Sequence, residues 1–303
     1  MKEKTEYKIL VVIVTYNAMQ WAERCFDSLR KSTIVPDVFV VDNGSTDGTQ
    51  QFIQKNYPEV RFTQSEENLG FGKANNIGLQ YALDNNYDYV YLLNQDAWVM
   101  PDTFEKLIKV SKCHPEYGVL SPMQMQADIK HFERRFFLYV ISCNQRTEPF
   151  FVEDLFFDRQ KSVYEVSFVM AAHWLISHKC LEIVGGFSPT FPHYGEDNNY
   201  LHRVWYWKMK IGIVPNSFAI HDRSNTEWSK EKADYIDNYI STLQNVSNPL
   251  ATINVTRYVI GKSMKAILKW DWTMWNYTFK VFKKRKQIKK NFQKSLIVKA
   301  FLK

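Results

Sequence analysis

Y-V-Y-L-L-N-Q-D-A-W-V, running from Tyr89 to Val99, is the stretch whose reading decides the fold. The apolar residues from Tyr89 to Leu93 are too continuous for a half-exposed strand and too few for a helix. They predict a strand buried on both faces. The strand stops at Asn94, Gln95 and Asp96. In an open α/β sheet the loops leaving the C-terminal ends of strands line a crevice where ligands bind, which makes Asp96 a candidate ligand-binding carboxylate. On this stretch alone, a turn-capping role before Pro101 accounts for it equally well.

Working outward, Ile9 to Val14 is a second buried run, ending at Thr15, Tyr16 and Asn17. Trp21, Ala22, Cys25, Phe26 and Leu29 then recur at helical spacing. Val38 to Val41 ends in Asp42, Asn43, Gly44, Ser45, Thr46 and Asp47, of which Thr46 or Asp47 can cap a helix through Phe52 and Ile53. Val60 to Phe62 predicts a third strand, followed by Asn68, Gly70, Gly72, Asn75, Asn76 and Gly78, with a helix starting near Lys73. This alternation predicts a mostly parallel sheet with helices on both faces. The polar ends, including Gly70, Lys73 and Asn75, converge on one crevice suited to a nucleotide. Neither common phosphate motif is present: Gly70 and Gly72 are followed by Asn75 instead of a third glycine, and no G-x-x-x-x-G-K-[ST] occurs.

With 303 residues, 45% of them hydrophobic, the chain has room for a sizeable core. The charged start, M-K-E-K-T-E-Y-K, and the short apolar run after it argue against a signal peptide, and no apolar run reaches membrane-spanning length. Cys25, Cys113, Cys143 and Cys180 are too scattered for a zinc site or a disulfide framework, so a reducing cytoplasm is expected. The net charge of +7 is unevenly spread. From Thr256 to Lys303 there are 14 basic residues and one acid, Asp271, a net +13, whereas the preceding part has 25 basic and 31 acidic residues, a net −6. A bulk attraction to nucleic acid is therefore excluded for most of the chain, and no nucleic-acid partner is expected.

Residues 119–168 mix aromatic patches such as Phe136 to Ile141 with charged stretches, and read either as an acceptor-facing insertion or as a surface cover. After Ser167 comes an apolar run through Val169 to Trp174, then Gly185-Gly186-Phe187 and Tyr194-Gly195-Glu196-Asp197. The acid pair opens a segment with Leu201, Val204 and Trp205 at helical spacing, so it lies at a helix N-terminus, where an exposed carboxylate stays ionised. By itself such a pair is more often a cap than a catalyst. The tail interleaves Trp270, Trp272, Trp275, Tyr277, Phe279 and Phe282 with lysines. That pattern fits a helix lying in an anionic membrane surface, or else a solvated hairpin packed on the rest of the chain.

Four motifs, V-V-I-V-T-Y-N, V-V-D-N-G-S-T-D-G-T, N-L-G-F-G-K-A-N-N-I-G and L-L-N-Q-D-A-W-V, in this order over about 100 residues, resemble the nucleotide-sugar half of family 2 glycosyltransferases, rhamnosyltransferases among them. The resemblance implies a GT-A fold over 1–225, with a nucleotide-sugar half (1–118) and an acceptor half (119–225), followed by a basic helical region (226–303). It implies that Thr15, Tyr16, Asn17 and Asp42 surround the base and ribose, with Asn43 beside them. It also implies that Asn94-Gln95-Asp96 stands where the family often has Asp-x-Asp, so Asp96 would bind a divalent metal, Mg²⁺ or Mn²⁺, bridging the diphosphate. Asn94 removes one carboxylate from that set, which weakens a site for a hard cation.

The segment from Val184 to Arg203 resembles the second family signature, with Ser188 and Asn199 replacing acids. It implies that Asp197 is the general base and that Glu196, Arg203 and Trp174 lie on the acceptor side. V-P-N-S-F-A-I-H matches a further family pattern in which His221 closes the metal site. His173, His178, His193 and His202 are structural or acceptor-side. The expected activity is an inverting transfer from a nucleotide sugar to a saccharide or lipid-linked acceptor, at the inner face of the cell membrane. A nucleotidyltransferase making nucleotide sugars would carry a Gly-rich basic loop after the first strand, which T-Y-N-A-M-Q-W lacks; a non-catalytic membrane or polyanion adaptor is the other alternative. Every pocket motif precedes His221, so a chain ending near Val255 is expected to keep the pocket.

Overall fold

The structure, a computed structural model, describes residues 7–141, 147–223, 229–251 and 253–303; Cys143 lies outside them. In chain order the first half comprises β1 (Ile9–Thr15), α1 (Met19–Arg30), β2 (Asp37–Asp42), α2 (Thr49–Asn56), β3 (Arg61–Gln64), α3 (Gly70–Asp84), β4 (Tyr89–Asn94), β5 (Ala97–Val99), α4 (Thr103–Cys113) and β6 (Tyr117–Met125). The insertion holds α5 (Arg134–Phe136), running into a π-helical turn (Phe137–Ile141), then α6 (Phe151–Phe156) and β7 (Tyr164–Glu165). Next come β8 (His173–Ser177), α7 (His178–Val184), α8 (Glu196–Tyr206) and β9 (Lys210–His221). The C-terminal region is helical: α9 (Lys230–Asp234) continues through a π-helical stretch (Tyr235–Ile240) into α10 (Ser241–Val246), followed by α11 (Val255–Leu268) and α12 (Trp272–Ser295).

Among the described residues the strands form one sheet in the order β3-β2-β1-β4-β8-β6-β9-β5, with β7 also on β9. β3, β2, β1 and β4 are mutually parallel. Since β8 is antiparallel to both β4 and β6, and β6 is parallel to β9, these last two strands share the direction of the first four. The mostly parallel sheet predicted from the alternation is present, and the C-terminal ends of β1, β2, β4 and β9 face one crevice.

The continuous apolar runs are explained by cores on both faces. Ile9, Val11, Ile13, Tyr89, Tyr91 and Leu93 pack toward α1 and α4, while Leu10, Val12, Val90 and Leu92 pack toward α3, α7 and α8. Helix α3 lies so close to β1 that a Cβ on Gly78 would stand 2.5 Å from Val12 Cγ1, so only glycine fits there. The start expected near Lys73 is one turn late: α3 begins at Gly70, in a left-handed conformation that places its Cα against the Pro192 carbonyl.

The C-terminal region shares its packing with the sheet domain. Val259, Val281 and Ile288 from the hairpin join Phe191, Tyr239, Ile240 and Leu243 in a third core. Beyond α12, Lys299 N donates to Glu182 O (3.0 Å), Gly186 N to Ala300 O (2.7 Å) and Lys303 N to Gln80 Oε1 (2.6 Å). Gly185 has φ +80°, and a Cβ there would lie 2.1 Å from Ala300 O. These contacts bear against the expectation that a chain ending near Val255 keeps its pocket, because the tail covers the Gly185-Gly186 turn that leads into the Glu196-Asp197 loop. No helix among the described residues is long and apolar enough to cross a membrane.

Candidate active site

The floor of the crevice is built from β1 and β2. Asp42 is fully enclosed and accepts five hydrogen bonds, from Thr15 Oγ1 (2.7 Å), Ser45 Oγ (2.5 Å), Ser45 N (2.9 Å), Gly44 N (3.2 Å) and Gln50 Nε2 (2.8 Å). Thr15 is equally enclosed. Together they set the Asp42-to-Ser45 turn at the C-terminal ends of β1 and β2.

Asn43 accepts from Leu69 N (3.3 Å) and so ties this turn to the start of α3. Tyr16 and Asn17 are the exposed members of the set. Asn17, at φ +50°, donates from N to Ser45 Oγ (2.9 Å) and accepts from Thr46 N (2.9 Å). Gln95 holds the Tyr16 backbone at both ends, accepting from its N (2.6 Å) and donating to its O (3.1 Å). Lys73 is exposed on the first turn of α3. Asn75 is buried and donates to Phe71 O (3.0 Å) one turn back in the helix.

Asp96 and His221 converge as expected. Strand β5, which follows Asp96, pairs antiparallel with the end of β9, setting Ala97 beside His221. Asp96 Oδ1 stands 3.4 Å from His221 Nε2, which also accepts from Arg223 Nε (3.0 Å) and lies 3.5 Å from Asn94 Nδ2. Burial pushes the Asp96 carboxyl up, but His221 and then Arg223 more than reverse this and hold it below its ordinary value. His221 is fully buried, and its Nδ1 has no hydrogen-bond partner among the described residues.

One carboxylate and one imidazole fit a divalent ion that takes its remaining ligands from a diphosphate and water. Among the described residues no third His, Cys, Asp or Glu joins them, in keeping with Asn94 at the first position of the motif. His173, by contrast, is structural: it bridges Tyr91 OH (2.8 Å) and Ile220 O (2.9 Å), and burial, then His221, lowers its pKa to about 3.

Glu196 and Asp197 open α8 behind Gly195, but the expectation of an exposed, readily ionised pair is corrected. Glu196 is buried and Asp197 is half-buried. Burial, then the neighbouring Asp197 charge, raises Glu196 to about 8. Burial also raises Asp197, against the opposing pull of the Asn198 N–H (2.7 Å to Oδ1) and the Arg223 charge. Arg223 thus acts on both Asp96 and Asp197.

Arg223 escaped the sequence reading because a lone arginine after a strand has no periodic or motif signal. Arg135 is a second such case. Its pKa is lowered by burial and then by the Arg223 charge, so the two guanidiniums lie within electrostatic reach of each other.

Two acceptor-side expectations are also corrected. Arg203 is fully buried, donating to Val184 O (2.8 Å) and Gly186 O (2.6 Å), so it pins the glycine turn from inside the fold. Trp174 is fully enclosed among Phe187 and Tyr200. The insertion, meanwhile, shapes an apolar groove of about 550 Å³ between Phe137, Val152, Phe156, Met123 and Phe218. Phe218 is brought there by a register shift in β9, where Val214 pairs with Pro122 but Phe218 with Met123.

The profile of glycosyl transferase family 2 matches residues 10–171, more than half of the chain, and ends just before β8. The chain belongs to glycosyl transferase family 2. It is 35% identical over 127 residues to an N-acetylglucosaminyl-diphospho-decaprenol L-rhamnosyltransferase of Mycobacterium tuberculosis, an overlap of 39% of this chain and 41% of that protein. It is 24% identical over 255 residues to glycosyltransferase GlyA of Streptococcus pneumoniae, covering 80% of this chain and 36% of GlyA. The chain thus spans about two fifths of the length of these curated relatives.

Among solved structures, S. aureus TarS in complex with UDP-GlcNAc superposes with a TM-score of 0.56 at 17% identity, covering 95% of this chain and 90% of that one. GalNAc-T7 with UDP, GalNAc and Mn²⁺ gives 0.57 at 15% identity, covering 84% and 54%. At these identities the likeness is one of fold, the GT-A fold that the family 2 motifs imply.

Proposed function

We propose that this family 2 protein is an inverting transferase that moves a sugar from a nucleoside-diphosphate sugar to an acceptor hydroxyl. The observation that carries the reading is the meeting of Asp96, His221 and Arg223 at the end of β9, with the Arg223 charge also acting on Asp197. Tyr16, Asn17, Asn43, Gly70 and Lys73 would surround the base and ribose at the ends of β1, β2 and β3. Asp96 and His221 would hold Mg²⁺ or Mn²⁺, which when bound neutralises charge on the diphosphate. Arg223, beside His221, and Arg135, within reach of the Arg223 charge, suit the same diphosphate.

In the displacement the acceptor oxygen bonds to the anomeric carbon while the bond to the diphosphate breaks, inverting the configuration. The electron pair leaves with the diphosphate, and the acceptor proton passes to Asp197. Burial raises Asp197 and so strengthens it as a base, while Asn198 N–H and Arg223 favour its charged form. Glu196, raised to about 8 by burial and the Asp197 charge, favours its protonated form beside that base.

A lipid-linked acceptor is favoured over a free saccharide by the apolar groove. Phe218, in its wall, is three residues before His221 on β9, roughly 10 Å at strand spacing. The basic helical region would bring the enzyme to an anionic membrane surface, at the cytoplasmic face, where such acceptors reside. Screening nucleoside-diphosphate sugars for thermal stabilisation with Mg²⁺ or Mn²⁺ identifies the donor; transfer to a polyprenyl-diphosphate-linked sugar is then compared with transfer to the free sugar. Absence of stabilisation and of hydrolysis across all donors would refute the transferase reading, and equal transfer to both acceptors would refute the lipid preference.

A further inference from the structure

The reversal between α11 and α12 presents apolar surface that none of the described residues covers. Leu268 is 80% and Trp270 is 79% exposed, and Met264, Ile267 and Trp272 are exposed beside them. Exposed apolar residues scattered singly are ordinary, but five within nine positions around one turn form a contiguous patch. Aromatic contacts order the patch: Trp270 meets Trp272 edge-on (6.3 Å), Trp272 meets Trp275 (6.3 Å), and Trp275 stacks on Phe279 (5.2 Å, planes 7° apart). At the far end Lys283 Nζ lies over Phe279 (4.7 Å). Positions 272, 275, 279 and 283 share one helix face, so the strip runs from an apolar tip to a basic base.

The turn itself is tightly specified. Trp270 occupies a left-handed conformation (φ +54°), Asp271 N donates to Ala266 O (2.9 Å), and the Asp271 side chain caps α12 by accepting from Met274 N (2.8 Å). Helix α12 is rooted elsewhere, through Val281 and Ile288 in the third core and through Asn291 Nδ2, which donates to Thr190 Oγ1 (3.0 Å). From Val281 to Trp272 is roughly 13 Å of helix at 1.5 Å per residue, so the tip projects from a rigid support.

We propose that this hairpin tip is a wedge that enters the interfacial layer of an anionic bilayer, with Leu268, Trp270 and Trp272 as its inserted residues. The proposal rests on reading the protein as a transferase that works at a membrane surface, and names the element that engages it. Charge chooses the occupant. Lys265 and Lys269 are exposed on either side of the apolar residues, and the region from Thr256 onward carries a net +13, which repels a second copy and attracts anionic headgroups. Tryptophan at such a tip suits the boundary between headgroups and acyl chains.

The test uses the full chain in co-sedimentation with vesicles of equal parts phosphatidylglycerol and phosphatidylcholine, and with phosphatidylcholine alone. The wild type is expected to sediment with the anionic vesicles and to lose part, not all, of that binding in high salt. The Leu268→Ser/Trp270→Ser/Trp272→Ser variant is expected to bind them at least about tenfold more weakly, with an unchanged circular dichroism spectrum and unchanged stabilisation by donor. As a milder check, brominated acyl chains should quench wild-type tryptophan emission, and Trp270→Phe/Trp272→Phe should remove most of that quenching. A wild type that stays in the supernatant with both vesicles overturns the membrane reading and the wedge together. A triple variant that binds like wild type overturns the wedge alone. A variant that changes the oligomeric state of the lipid-free chain, and not its vesicle binding, assigns the patch to a second copy.

Discussion

Asn76 holds Phe187 by both of its backbone groups: Asn76 Nδ2 donates to Phe187 O (2.9 Å), and Phe187 N donates to Asn76 Oδ1 (2.6 Å). One side chain on the donor-side helix α3 thereby fixes the turn that leads to Glu196 and Asp197, on the opposite side of the crevice. Asn76→Ala leaves both backbone groups without their partner. The expected loss is about 2–4 kcal/mol in denaturant unfolding, with turnover falling more than donor affinity. Unchanged stability would show that water replaces both bonds.

Asp197→Asn keeps the shape of the α8 start but removes the proton acceptor. Turnover should fall by roughly 10² to 10⁴-fold, with donor binding near wild type. A mutant that turns over as fast as wild type would remove Asp197 from the role of base.

Chelation should weaken nucleotide-sugar binding, and Asp96→Ala and His221→Ala should do the same, because these two are the protein's whole contribution to the proposed ion among the described residues. Calorimetry with and without excess chelator decides the point. Donor affinity indifferent to chelator would shift the diphosphate onto Arg223 and Arg135 alone.

Glu196 makes stability depend on pH in a definite direction. Its pKa is raised from 4.5 to about 8, by burial first and the Asp197 charge second, so the folded state keeps a proton that the unfolded chain releases. The unfolded chain binds fewer protons between these values, so stability is greatest below about pH 4.5 as far as this group is concerned and falls as pH rises toward 8. Glu196→Gln should flatten that fall, by an amount on the order of a few kcal/mol. Melting temperatures of the two proteins measured across this range should converge at the acid end; parallel curves would contradict the assignment.

A chain ending near Val255 should not fold as the full chain does. It would uncover Phe191, Tyr239 and Ile240, each worth about 1.5–3 kcal/mol of burial, and would free the Gly186 N–H from Ala300 O, against a typical total stability of about 5–15 kcal/mol. The expected result is loss of a cooperative melt. A truncated protein that melts sharply and is stabilised by donor would show the tail to be dispensable.

Much of this protein was legible in the sequence because its signals are local. Ile9–Val14 and Tyr89–Leu93 are apolar without interruption, and a strand with that pattern must be covered on both faces, so the sheet, its direction and the placing of Asp96 at a strand end followed from residue order alone. Asp197 and His221 were likewise singled out through the resemblance of short motifs, whose members lie close together in the chain, to those of the family. What only the tertiary structure decided is which groups are enclosed and which are neighbours across the fold. Arg203 and Trp174 sit in segments that resemble an acceptor site, yet packing turns both inward, one onto the Val184 and Gly186 carbonyls and the other against Phe187 and Tyr200. Arg223 and Arg135, 88 positions apart in the sequence, carry no pattern that joins them. Burial of Glu196 reversed the expectation of an exposed pair, because desolvation depends on what covers a carboxyl and not on its place at a helix start. The tail shows the same division: composition gave its charge and its tryptophans, whereas the contacts of α12 and of residues 299–303 decided that its inner face belongs to the fold while Leu268 and Trp270 at its tip stand exposed.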